Sequence, residues 1–163
     1  MSLNALIKIA KADGECVQVS YPNWIEIQAW DWDVEADTTW TKGGGASVGK
    51  PNPGKLNFDH YWDRSSAVIL GYICTGSSFA EINLVMFKGT GASSTKPFFE
   101  ATLYEAFITK VTQSAAEDGN LLQKVELVFK KIEIKYSMQK GGALIPSTHF
   151  EWDIPAGKAS PGA

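Results

Sequence analysis

Apolar residues recur mostly at every second position, the spacing that turns one face of a β-strand to a core and the other to solvent. Leu3, Ala5, Ile7 and Ile9 read as a first strand, and Ala80, Ile82, Leu84 and Met86 as a later one. Phe99, Ala101, Leu103, Phe107 and Val111 line another, interrupted by Glu105. Phe150, Trp152 and Ile154 alternate with His149, Glu151 and Asp153 in a closing strand. Clusters of Gly, Pro and small polar residues at 43–55, 89–97, 115–120 and 141–147 punctuate these runs.

Two long runs change phase midway. Ile25, Ile27 and Ala29 are followed by Trp30, Trp32, Val34 and Ala36; Val125, Leu127 and Phe129 are followed by Ile132, Ile134, Tyr136 and Met138. A slip of one residue flips every later side chain, so a β-bulge is predicted near Ala29–Trp30 and another at Lys130–Lys131. Long strands with bulges curl readily. The expected fold is mainly β: a two-sheet β-barrel flanked by one short α-helix, a single domain over 1–163 with its core at 3–154 and a flexible tail at 155–163.

The helix is the exception to the two-residue period. Ser65 or Ser66 suits an N-cap and Gly76 a C′ position, which predicts a helix over 65–75. Its middle, AVILGYIC, is apolar nearly all round, whereas a surface helix shows a polar face. One side packs on the barrel; the other calls for cover by a second chain or by the chain's own loops. Val68, Ile69 and Tyr72 are the candidate contact residues.

Composition narrows the function. The chain has 163 residues, 44% hydrophobic and 20% charged, with a net charge of -3. Of the 15 basic residues only Arg64 is arginine, which argues against a nucleic-acid footprint. The longest apolar run, Ala67–Cys74, falls far short of the roughly 20 residues of a membrane helix, so no membrane insertion is expected. The first residues reach Lys8 without the apolar region of a secretory leader. Cys16 and Cys74 read as two reduced thiols.

Motifs that carry chemistry are weak. Gly44 to Lys50 spells G-x-x-x-x-G-K, but Pro51 follows where a phosphate-binding loop needs Ser or Thr and a helix start; the segment reads as a long hairpin-type loop. His60 and Asp59 fall on opposite strand faces, and no zinc-like ligand spacing appears. There is no G-x-S-x-G. No catalytic, metal or cofactor site is expected. Trp30, Trp32, Trp62 and Trp152 sit at core positions, while Trp24 and Trp40 fall near strand ends.

The first 40 residues hold seven carboxylates against two lysines. Asp31, Asp33 and Glu35 share one strand face with Asp37, Glu26 and Gln28, an acidic stripe.

The ordered set of motifs resembles the haemolysin-coregulated protein (Hcp) family of bacterial type VI secretion. The carriers are ALIKIAKADGE (5–15), IEIQAWDWD (25–33), GGGASVGK (43–50), LNFDHYWDRSSAVIL (56–70), VELVFKKIEIKY (125–136) and FEWDI (150–154). The resemblance implies a ring-forming β-barrel that assembles head-to-tail into a homo-hexamer. Rings stack into a tube that works with a VgrG-like spike, baseplate proteins and a contractile sheath, and effector proteins ride in the lumen. It further implies a protein that is cytoplasmic before assembly and then secreted without a Sec leader. On this view Asp31, Asp33 and Glu35 face the lumen and its cargo, and Gly43, Gly44, Gly45 and Lys50 make stacking contacts. A phage tail-tube protein and a carbohydrate-binding β module using exposed tryptophans stay open as other readings.

Overall fold

A computed structural model describes residues 4–41, 44–88 and 96–162. The alternating runs become strands: β1 (Ala5–Ile9), β2 (Ile25–Ile27), β3 (Ala29–Asp31), β4 (Val34–Thr41), β5 (Gly45–Pro53) and β6 (Leu56–Tyr61). Helix α1 (Arg64–Thr75) follows, then β7 (Ser78–Phe87), β8 (Pro97–Ala115), β9 (Leu121–Lys140), β10 (Ala143–Asp153) and β11 (Lys158–Gly162). The fold is mainly β with one helix, as the periodicity predicts.

The sheet arrangement differs from two facing sheets of a barrel. Nine strands share one sheet, ordered β11-β10-β9-β8-β7-β1-β2, with β6 joining both β3 and β9; β4 and β5 form a separate two-stranded ribbon. Long strands achieve this by changing partner. The first part of β9 pairs with β6 through residues 122–127, and the later part pairs with β10 through 131–140.

The phase changes have the same origin. At residue 28 the chain leaves β1 as β2 and continues beside β6 as β3, with Gln28 N–H donating to the Asp59 carbonyl at 2.7 Å. The break thus lies just before the expected bulge. At Lys130–Lys131 the phase does slip: Phe129 and Ile132 are both buried. Register with β8 is kept across it, however, because Tyr104 faces Lys131 and Ala106 faces Phe129. β8 slips in step, burying Leu103 and Ala106, and β7 does so with Phe79 and Ile82. Three neighbouring strands therefore bend along one crease, eased by Glu105 at φ 49°. Register itself shifts further along β8, at Ile108/Lys110. The crease also moves Ala80 and Phe107 outward, where strict alternation puts them inside.

Ile7, Ile25, Phe58, Leu84, Leu103 and Leu127 fill the core between the sheet layers and α1. Trp152 is buried and Trp30 and Trp32 pack against the cluster, but Trp62 is 37% exposed, because the chain turns out of β6 there. Chain beyond Ile154 turns and returns as β11, paired with β10 from Asp153↔Lys158 to His149↔Gly162, where the sequence suggests a tail.

Helix α1 starts at Arg64 with Asp63 as N-cap, two residues before the first expected serine. The Asp63 carboxylate accepts Ser65 N–H at 2.8 Å, and the Ser66 hydroxyl accepts the Asp63 N–H at 3.0 Å, a capping box. Gly76 ends the helix in the left-handed region at φ 67°, which a side chain would strain.

Candidate assembly surfaces

The acidic stripe is exposed but divided. Asp31, at the end of β3, accepts Asn57 Nδ2–H at 2.9 Å. Asp33 lies in the crossing segment, its carbonyl accepting Gly54 N–H at 2.8 Å. Glu35 sits on β4, opposite Asn52 of β5, so it belongs to the ribbon and not to the main sheet. All three carboxylates are solvent-exposed. The structure places Asp31 and Asp33 at the root of the ribbon and Glu35 on its first turn of pairing.

The segment 43–55, expected as a loop, is largely strand. β5 pairs with β4 from Thr41↔Gly45 to Val34↔Pro53, with a register shift at Ala36/Thr38. Gly45 takes φ 80° as the strand begins. Gly44, Gly45 and Lys50 are exposed, and Gly43 lies outside the described residues. The ribbon joins no further described strand, although an isolated two-stranded hairpin is only marginally stable in water.

Helix α1 divides along its length. Ser65, Ser66 and Ile69 are buried. Ile69, expected at a subunit contact, is 0% exposed and belongs to the chain's own core, because its helical position faces the sheet. Val68 and Tyr72 are half-buried, and Ala67, Gly71 and Cys74 are exposed. An apolar strip therefore remains in water along the outer side of the helix.

One surface escapes sequence reasoning. Cross-strand register aligns Lys8, Asn83, Thr102, Glu133, Glu151 and Ser160 in one row across six strands. Directly opposed residues share a face, so this is the polar outer face of the sheet. Lys131 Nζ lies 2.6 Å from Glu151, and Glu133 contacts both His149 Nε2 at 3.2 Å and Lys135 Nζ at 3.7 Å. The hydrogen bond from Lys131 holds the Glu151 carboxyl below its usual range, and Glu151 holds the Lys131 ammonium above its own. Burial, then Glu133, pushes the Tyr104 hydroxyl up. Beside this row a cleft of about 270 Å³ lies between Tyr21 and Trp24 on one side and Glu100, Thr102 and Lys135 on the other. Alternation in β7, β8 and β9 marks each residue as outward; only register brings them together.

Neither cysteine is bridged; Cys16 is buried and Cys74 exposed. Among the described residues no helix is long and apolar enough to cross a membrane.

Comparison with known proteins gives these surfaces their context. The family model described as "Type VI secretion system effector, Hcp" matches residues 6–136. The crystal structure of Hcp1 from Salmonella typhimurium superposes with a TM-score of 0.78 at 28% identity, covering 98% of this chain and 100% of that one. A structure described as a type six secretion system protein reaches a TM-score of 0.88 at 20% identity, over 98% and 100% of the two chains. A type VI secretion system effector from Yersinia pestis gives 0.69 at 25% identity, over 92% and 99%. No curated protein sequence matches. With the family match spanning most of the chain, and the same fold along nearly all of it, the chain belongs to the Hcp family and is a tube component of a type VI secretion system.

Proposed function

We propose that this chain works as a hexameric ring, stacked with further rings into a tube that carries effector proteins in its lumen and is expelled with a VgrG-like spike by a contractile sheath seated on baseplate proteins. Family membership over residues 6–136 is the observation that carries the reading. The exposed surfaces fit it. A ring needs two different patches that meet head-to-tail, and the outer strip of α1 around Ala67, Val68, Gly71 and Cys74 supplies an apolar one. The β4–β5 ribbon, which pairs only with itself among the described strands, is suited to lie against a neighbouring copy, with Gly44 and Gly45 at its tip and Lys50 at the register shift midway along it. Its reach along the tube axis would make the stacking contact.

The pairing of residues 25–31 with β1 at one end and β6 at the other supports a barrel as the body of each subunit. Asp31, Asp33 and Glu35 would give the lumen a negative lining, favouring cargo with basic or hydrogen-bonding patches. The work is assembly and transport, with no covalent step, and the protein leaves the cell through the machine it helps to build.

Light scattering coupled to size-exclusion chromatography, followed by negative-stain imaging, tests the architecture. Six-membered rings are expected. A monomer throughout the micromolar range overturns the ring. For the lumen, Asp31→Lys with Asp33→Lys should lower retention of a co-expressed basic cargo at low salt; unchanged retention removes the acidic face from the lumen.

A further inference from the structure

Beneath the first turn of α1 lies a polar cluster in an otherwise apolar core. His60 on β6 and Gln123 on β9 are both 0% exposed. His60 Nε2 lies 2.6 Å from Gln123 Oε1. The Gln123 amide nitrogen donates to the Ser66 carbonyl at 3.3 Å and to Gln113 Oε1 at 2.8 Å. A backbone carbonyl only accepts, so the amide is oriented with its oxygen toward His60. That oxygen also only accepts, which places the imidazole proton on Nε2. In the neutral ring Nδ1 is then a bare acceptor, buried and without a partner among the described residues. Its nearest carboxylate oxygen is Asp63 Oδ1, at 4.0 Å.

The same Asp63 oxygen caps the helix. It accepts Ser65 N–H at 2.8 Å and the Ser65 hydroxyl as well, which occupies both of its lone pairs. We propose that His60 is a proton-operated latch on α1: in acid a proton added at Nδ1 draws Asp63 Oδ1 away from Ser65 and loosens the first helical turn. Neutral Gln123 faces the ring from β9, held in turn by Gln113 of β8 and the Ser66 carbonyl of the helix, and the Phe58 ring lies 5.7 Å away on its own strand. Arg64 does not neutralise Asp63; its guanidinium bonds the Gly14 carbonyl at 2.8 Å and Asn23 Oδ1 at 2.7 Å. Beyond Asp63 the neighbouring cleft presents Glu15, Glu26 and Tyr61. The extension to assembly, that acid weakens rings held by α1, rests on the subunit contact proposed above.

The test uses protein labelled with ¹⁵N-histidine and carrying His149→Gln, which leaves His60 as the sole histidine. At about pH 7.5 the Nε2–H tautomer is expected, and on going to about pH 5 the latch requires a proton added at Nδ1. Over the same range, hydrogen-exchange protection of residues 63–70, corrected for intrinsic rates, should fall about fivefold, the size of losing one N-cap bond. Asp63→Asn, which keeps a good cap without the charge, should abolish that fall. An Nδ1–H tautomer at neutral pH, a ring that stays neutral to about pH 4.5, or the same fall in Asp63→Asn overturns the latch. Sedimentation of the rings at the two pH values separates the extension: rings unchanged while protection falls remove α1 from the subunit contact and leave the latch in place.

Discussion

Tyr72 of α1 lies flat on Phe79 of β7, ring centroids 4.0 Å apart and planes within 3°. The contact anchors the inner side of the helix beside Ile69, so fold stability and the outer strip depend on different residues. Tyr72→Ala should cost about 2 kcal/mol, from lost burial and the aromatic pair, read as a lower urea midpoint with little change in slope.

Ala67→Glu tests the other side. Ala67 is exposed, so a charge there leaves the folded chain intact, with thermal unfolding of the separated subunit unchanged. Light scattering should show rings lost or shifted to much higher concentration. Rings of full size at micromolar concentration would take the outer strip out of the subunit contact.

Two glycines make a graded pair. A Cβ at Gly14 would stand 2.5 Å from the Trp24 carbonyl oxygen and 2.8 Å from Ile25 Cα, both backbone atoms. A Cβ at Gly54 would overlap the Asp33 carboxylate, an exposed side chain that can swing aside, and stand 3.0 Å from the Asp33 carbonyl oxygen. Gly14→Ala should therefore cost about 3 kcal/mol and Gly54→Ala about 1 kcal/mol, within the usual range for overpacking. Chemical denaturation of the two variants ranks them; the reverse order would contradict the packing.

The Lys131–Glu151 pair predicts a pH window. Glu151 is held below its ordinary 4.5, so its contribution is complete above that value and lost as pH falls through the lowered one. Lys131 is raised above its ordinary 10.5, so its contribution is complete below that value and lost as pH rises through the raised one. The side chains are 37% and 38% exposed, and solvent and salt screen the pair. Lys131→Met should lower the Tm slightly at neutral pH and low salt. The difference should shrink at about 1 M salt and disappear in acid once Glu151 is protonated.

Strand content, the helix and its Gly76 stop were legible because each rests on local spacing. The N-cap was misplaced because Asp63, following Trp62, looks like the end of a strand until its carboxylate is seen on Ser65 N–H. The two phase changes were legible as slips, but not their cause: at Gln28 a change of partner, and at Lys130–Lys131 a bend shared with β7 and β8. Such causes depend on neighbours distant in sequence. The row from Lys8 to Ser160 was hidden for the same reason, since register is a property of pairs. Ile69 and Trp62 exchanged their expected places because an all-apolar helix and a strand-end aromatic carry no periodic sign of which side faces in.

The double pairing of β9 orders events during synthesis. Tyr61 must wait for Leu122, and Leu56 for Leu127, before β6 gains its second neighbour. At about 5–20 residues per second the ribosome leaves β6 half-paired for several seconds, with the buried side of α1 lacking the Gln123 it rests on. Contacts so far apart in sequence form late and slowly. A nascent copy is thus a sticky intermediate until β9 emerges, and chains cut short before Leu127 should aggregate in the cell rather than enter rings.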